Sequence, residues 1–266
     1  MSRARDLPLS RREALASIAL SSASLAAGCA TTRESARTAP TTALSHTDGA
    51  VTMTAIPALA GAHTMVALPF SAGALNGISE RMISSHHQNN YGGAVRNLNR
   101  VEQELAQITA NTPAFVVTAL RERELNFRNS KTLHEAYFAN LGGNGQRSGA
   151  IDRAISQAYG GAAQWEQHMR ATAMGLGGGS GWAILAFELD TGALRTVSSA
   201  GHTQALATSL PLLVMDMYEH SYQMDFGAGV ARYVDAFFAN VLWDEVHRRL
   251  ESAQRMSAIL RGSATH

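Results

Sequence analysis

Cysteine is almost missing from this chain. The one residue of that type among 266, Cys29, lies in the N-terminal segment and not in the folded body. No disulfide can therefore stabilise the body, and neither a thiolate metal site nor a catalytic thiol is available to its core. Histidine, aspartate and glutamate are left as the ligand inventory. The sequence also lacks a Lys/Arg block or a basic stripe interleaved with aromatics, and its formal charge is only +1, so no nucleic-acid footprint is indicated. Arg3, Arg5, Arg11 and Arg12 against Asp6 and Glu13 put +2 into the first 28 residues, leaving the remainder near −1. No internal repeat is visible. The glycine-rich run at 177–181 precedes a strand pattern instead of opening a helix and has no Gly-Lys-Ser/Thr, which argues against a phosphate cradle. What is present, 45% apolar and 16% charged residues, is enough for an ordinary globular core.

The opening has a basic start, a small and apolar stretch from Ala14 to Ala27, and a small-residue site before Cys29, the pattern of a targeting segment and not of a transmembrane anchor. Ser10-Arg11-Arg12-Glu13-Ala14-Leu15 resembles a twin-arginine export signal. Ala26-Ala27-Gly28-Cys29 resembles a lipoprotein box, although Leu25 stands four places before the cysteine instead of three. Two readings stay open, a cleaved signal with an incidental cysteine and a lipid anchor through Cys29; both place the protein in the periplasm, free or tethered. Export of an already folded chain suits a metalloprotein, since the metal is then chosen in the cytoplasm.

Apolar spacing predicts a long helix over 78–108 with His86, Asn90 and Ala94 on one face, a second from Pro113 to about Arg123, and a third over 130–141. Gly142-Gly143-Asn144-Gly145 then breaks the pattern. Helical patterns follow at 150–159 and 162–174. Next come strands at 182–189 and 194–199 around an Asp190-Thr191-Gly192 turn, a buried strand at 210–215, and one helical stripe from Tyr233 to Leu250. The expected fold class is α+β: an N-terminal long-helix hairpin domain, then a C-terminal mixed α/β domain with a small three-stranded antiparallel sheet. The expected organisation is an export signal at 1–30, a flexible linker at 31–60, a helical metal-binding domain at 61–145, an α/β metal-binding domain at 146–254, and a tail at 255–266.

His86 falls on the apolar face of the first helix, His134 on the core stripe of the third, and His220 four residues after Asp216 at the end of a buried strand. A single buried histidine is more often a hydrogen-bonded core residue than a ligand. Three imidazoles with one carboxylate form a set that suits iron or manganese with an open fifth position, whereas a closed structural zinc site would normally draw on cysteine.

From about Leu68 to Leu250 the chain resembles the iron/manganese superoxide dismutase family. The likeness is carried by Leu68-Pro-Phe-Ser-Ala-Gly-Ala-Leu75, Ile78-Ser-Glu80, His86 with Asn97-Leu-Asn99, and His134-Glu-Ala-Tyr137-Phe138. It continues in Gly179-Ser-Gly-Trp182, Asp216-Met-Tyr-Glu-His220-Ser-Tyr222 and Trp243. The resemblance implies one iron or manganese ion per subunit, held by His86, His134, Asp216 and His220, and superoxide as substrate. It also implies an aromatic shell of Tyr137, Phe138, Trp182 and Tyr218, and a homodimer in which Glu219 reaches the neighbouring subunit's ligand histidine. In the positions from which a glutamine hydrogen-bonds the metal's solvent in this family stand Ser130 and His202, so His202 is expected to tune the site. Where the family has a histidine and a gateway tyrosine, this chain has Asn90 and Ala94; where it has a second tyrosine, it has Gln223, which makes an Asn90–Gln223 amide pair across the dimer a hypothesis. The residues expected to act in catalysis are thus His202, Asn90, Tyr137 and Trp182. Two rivals to dismutation remain open: a non-catalytic or low-activity metal-binding scaffold of the same fold, and another oxygen or peroxide chemistry at the same open position.

Overall fold

The computed structural model describes residues 56–262. The expected export signal, Cys29, most of the expected linker and the last four residues lie outside them. The chain enters as a strap along two antiparallel helices, passes through a second helical pair, and then folds a three-stranded sheet.

Helix α1 (Glu80–Ser85) starts at Ser79, whose Oγ accepts from the Met82 N–H at 3.1 Å and itself donates to Asp225 Oδ1 at 2.7 Å. A π-helical turn (His86–Tyr91) joins it to α2 (Gly92–Leu105), so the predicted long helix is one element with an overwide turn in its middle. α3 (Ala114–Ala139) corrects the sequence expectation of two helices: it is continuous. Residues 124–129 contain neither glycine nor proline, and Arg128 pairs with Glu124 one turn back at 3.2 Å while also reaching Glu102 on α2 at 2.6 Å.

Helices α4 (Gly149–Tyr159) and α5 (Ala162–Leu176) lead to strands β1 (Trp182–Glu188), β2 (Leu194–Ser199) and β3 (Ser209–Asp216), antiparallel in the order β2-β1-β3. These elements agree closely with the sequence reading. The register sets Trp182 beside Asp216, with a bulge between Leu185 and Ala186 on the β3 side. Helix α6 (Gln223–Phe226) is a single turn. The stripe read as one terminal helix is two, α7 (Val230–Ala239) and α8 (Trp243–Gly262). Residues 240–242 instead run against the glycine-rich connection: the Gly143 N–H donates to the Asn240 carbonyl at 3.0 Å and the Gly145 N–H to the Val241 carbonyl at 3.1 Å. A Cβ on Gly143 would stand 2.3 Å from the Val241 carbonyl oxygen, so only glycine permits this approach. α8 continues through the segment assigned to a tail, because Ala253 and Ser257 are buried and the Ser257 hydroxyl donates to the Leu189 carbonyl at 2.6 Å.

The core joins α1, α3, α5, α7 and α8 to both faces of the sheet through Tyr137, Trp165, Leu213 and Phe237, all fully buried. β3 is an edge strand, and its outward Val214 N–H is taken by the buried Asn140 Oδ1 at 2.8 Å, which ties the end of α3 to the strand that ends in Asp216. Asn140→Ala would leave that buried N–H unpaired; unfolding in urea should show a loss of about 1–3 kcal/mol.

Glu102 anchors the strap. Its buried carboxylate accepts from the Gly61 N–H at 2.9 Å, meets His63 Nε2 at 2.8 Å, and pairs with Arg128. Burial pushes this carboxyl up, but its hydrogen bonds with His63 and Gly61 and the nearby charges of His63 and Arg128 outweigh that and hold it below its ordinary value. A carboxyl lowered in the folded state adds stability above its unfolded value of about 4.3 and loses it as pH falls through the folded value. The stability gap between wild type and Glu102→Gln, read from urea midpoints, should therefore be open at pH 7 and close as pH is lowered below about 4.

Candidate metal centre

Four side chains from four different elements meet at one point. His86 opens the π-helical turn, His134 lies in the second half of α3, Asp216 ends β3, and His220 sits in the short 3-10 turn Glu219–Ser221. Asp216 Oδ2 lies 3.1 Å from His86 Nε2, 3.5 Å from His134 Nε2 and 3.3 Å from His220 Nε2. One potential ligand atom from each residue lies within 4.8 Å of every other, and the described residues contain one such group. His86, His134 and Asp216 are buried, while His220 retains an exposed edge.

The protonation states favour ligation. The His134 Nδ1–H donates to the Ser130 carbonyl at 2.7 Å, which fixes the tautomer and leaves Nε2 as a free lone pair. Burial pushes the His134 imidazole down to about 3 and lowers His86 as well, against the pull of Asp216, so both are neutral at pH 7. Burial alone would raise the Asp216 carboxyl; the His220 and His86 imidazoles beside it overcome that and hold it well below the usual carboxylate range. Asp216 Oδ1 accepts from the Tyr218 N–H at 2.9 Å, and its main-chain carbonyl accepts from the Tyr233 hydroxyl at 2.7 Å and Ser221 Oγ at 2.8 Å. These bonds lock the side chain with Oδ2 toward the imidazoles.

The result is a buried carboxylate beside the neutral imidazoles of His86 and His134, and its charge contacts among the described residues are all to histidine. Such a charge is costly without a cationic partner. Two buried ring nitrogens that face it, His134 Nε2 and His220 Nε2, have no hydrogen-bond partner. A cation at the meeting point would satisfy both the charge and the lone pairs, so the donor set fits a transition metal with nitrogen and oxygen ligands.

Aromatic rings enclose the cluster. Trp182 lies edge-on to His134 at 5.1 Å between centroids, Tyr137 at 5.2 Å from His86, Phe138 at 5.0 Å from His86, and Tyr218 stacks on His220 at 5.3 Å. His202 comes from the β2–β3 loop: its Nδ1 accepts from the Trp182 Nε1–H at 3.0 Å, its ring stacks on Tyr218 at 4.8 Å, and burial lowers its pKa. Ser130 Oγ lies 3.3 Å from His134 Nδ1.

Over the cluster opens a vestibule of about 280 Å³ floored by His134, His202 and His220. Asn90, Gly93 and Ala94 form part of its wall. Of the residues expected to act in catalysis, His202 and Asn90 thus face the vestibule, whereas Tyr137 and Trp182 pack behind the histidines and are not among its walls. Tyr137 is fully buried, with its hydroxyl 3.3 Å from the Tyr233 hydroxyl, whose own proton goes to the Asp216 carbonyl. Gln223 is exposed on α6. Sequence reasoning overlooked Tyr233, whose place on the apolar stripe of α7 hid its polar tip, and Glu135, which reads as an ordinary helix-surface charge.

A helical first half, an antiparallel three-stranded sheet in the second, and one buried His₃Asp cluster between them define an α+β metalloprotein whose metal is held jointly by both halves. Comparison with known proteins narrows this class. Residues 147–249 match the family model described as iron/manganese superoxide dismutases, C-terminal domain. The chain is 43% identical over 182 residues to a superoxide dismutase [Fe] of Cupriavidus metallidurans, covering 68% of this chain and 92% of the relative. It is 34% identical over 190 residues to a superoxide dismutase [Fe] of Aquifex pyrophilus (68% and 88% covered), and 33% over 180 residues to superoxide dismutase [Mn] 1 of Halobacterium salinarum (66% and 88% covered). The chain belongs to the iron/manganese superoxide dismutase family.

Proposed function

We propose that this protein is a superoxide dismutase that converts two superoxide ions and two protons into dioxygen and hydrogen peroxide, with one iron or manganese ion held by His86, His134, Asp216 and His220. The observation that carries the reading is the convergence of three imidazole nitrogens and one carboxylate oxygen in a buried, aromatic-walled site open to solvent on one side. A bound iron or manganese ion would supply one-electron redox chemistry, alternating between its +3 and +2 states.

The chain's own residues divide the remaining work. The Asp216 charge favours the higher oxidation state, and neutral imidazoles support both. Because Trp182 donates to His202 Nδ1, the neutral ring of His202 carries its proton on Nε2, and His202 is the group at the vestibule floor able to hold or pass a proton beside the ligands. Tyr137, Phe138 and Trp182 exclude water from the ligands' flanks and fix the ring planes. Asn90 offers a carboxamide to an incoming anion; it cannot titrate.

A metal-holding dimer with slow turnover is the second reading, favoured by Asn90 and Ala94, which give the vestibule wall neither an imidazole nor a phenol. Metal analysis with a superoxide-decay assay separates the two. Protein carrying about one iron or manganese per chain should accelerate decay well above background. Asp216→Ala and His134→Ala should both lose metal, with affinity falling by more than the roughly 10–100-fold seen for outer partners, and lose activity with it. Metal-replete wild type that decays superoxide only at background would establish the scaffold.

The dimer and the location belong to the same proposal. Glu219 is exposed beside a groove of about 440 Å³ shared with Tyr222 and Gln223, a place from which it can cross a two-fold axis. Glu219→Ala should move the sedimentation coefficient of dilute protein from dimer toward monomer. Periplasmic location rests on the twin-arginine pattern of residues 10–15 and lipid attachment on Cys29; among the described residues no helix is long and apolar enough to cross a membrane. Fractionation of cells carrying Arg11→Lys with Arg12→Lys, or Cys29→Ala, should show retention in the cytoplasm in the first case and release from the membrane fraction in the second.

A further inference from the structure

The turn that carries His86 is gripped by residues outside the ligand set. Tyr91 closes the π-helical turn that His86 opens, and it is only 1% exposed. Its ring lies 6.2 Å from that of His134 and 6.2 Å from that of Phe138, on the core side of the turn and away from the vestibule. Its hydroxyl donates to Glu135 Oε1 at 2.6 Å and accepts from the Val66 N–H at 2.8 Å. Glu135 is fixed in turn by Lys131 at 3.0 Å. The Val66 carbonyl accepts from His87 Nε2 at 2.8 Å, so both polar groups of this one peptide residue are taken by side chains of the turn.

Val66 is the last point of the strap, which is fastened to α2 farther back. The Gly61 N–H donates to Glu102, the His63 N–H to Asn99 Oδ1 at 2.8 Å, and Asn99 Nδ2 to the His63 carbonyl at 2.9 Å. A π-helical turn has poorer hydrogen bonding than a regular helix and persists where its surroundings hold it. Relaxed to α geometry, the turn would rotate one end against the other by about 100°, and His86 and Tyr91 could not both face inward.

We propose that Tyr91, clamped between Val66 and Glu135, is a positioning residue that holds the His86 turn in ligating geometry, so that the strap from Gly61 to Val66 sets how firmly the metal is retained. The proposal rests on the reading that His86, His134, Asp216 and His220 hold the metal. Glu135 is the acceptor arm of the clamp, and the strap is its donor arm.

The test uses the full chain loaded with manganese or iron, measuring release to a chelator and native-state hydrogen exchange of amides 86–91 in metal-free protein. Tyr91→Phe should speed release about 10–100-fold, as for other lost outer partners, and shift the ligand-field absorption of the bound metal, with far-UV circular dichroism unchanged. Gly61→Ala touches no ligand, yet its Cβ would stand 2.5 Å from the Asn99 carbonyl oxygen at a φ of +58°; by lifting the strap it should act in the same direction. Glu135→Ala should behave like Tyr91→Phe, and Glu135→Gln, which keeps an acceptor oxygen, should restore most of the wild-type rate. Faster exchange of the turn's amides should accompany each effect. Unchanged release and unchanged exchange in Tyr91→Phe would overturn the proposal. Were wild type to take up no metal, the ligand assignment would fall, and the exchange measurement would still decide whether Tyr91 and the strap hold the turn.

Discussion

Everything in this molecule is arranged around one buried negative charge. Asp216 sits at the end of an edge strand with no exposure, beside His86 and His134, whose imidazoles burial keeps neutral. An isolated carboxylate in that position would be strongly unfavourable, and the histidines offer lone pairs instead of positive charge. The cluster therefore makes sense only as half of an interaction whose other half is a cation. Its members are supplied from both ends of the chain, with 134 residues separating His86 from His220, so holding the cation also holds the two halves together.

The packing serves that arrangement directly. α3 carries His134 and ends at Asn140, which closes the open edge of β3 two residues before Asp216. The strand register sets Trp182 beside Asp216, and the Trp182 indole then orients His202. Tyr233 on α7 reaches the Asp216 carbonyl, so a helix nearly 150 residues along the chain from His86 contributes a bond at the end of the strand that carries the carboxylate. The side chains that make the core are in large part those that fix the ligands, which ties the stability of the fold to the geometry of the site.

Much of this was legible in the residues, and the failures have physical causes. The sheet could be read because its strands are short, apolar and separated by a clear Asp-Thr-Gly turn, and the four site residues because each stands where solvent would not call for a polar group. The single long α3 was missed because its middle, 124–129, is polar on the surface and looks like a break, while the Arg128 contacts that carry the helix through are made to another helix. The break at 240–242 was missed for the opposite reason: the apolar stripe continues through it, and what stops the helix is a pairing with Gly143 and Gly145 nearly a hundred residues earlier. The overwide turn at 86–91 leaves the apolar pattern almost unchanged, because one extra residue shifts the phase without altering composition. Tyr91 carries no local signal of its role, because its partners on the strap and on α3 are far away in sequence.

That overwide turn makes the spacing of the chain here intolerant in a way that residue identity alone would not reveal. A point substitution between His86 and Tyr91 changes one side chain. Gain of a single residue beyond the one this wide turn already absorbs would turn the upstream end out of phase with α2 by about 100°. An inserted residue here would therefore be felt at the first imidazole even if every side chain now in the turn were kept.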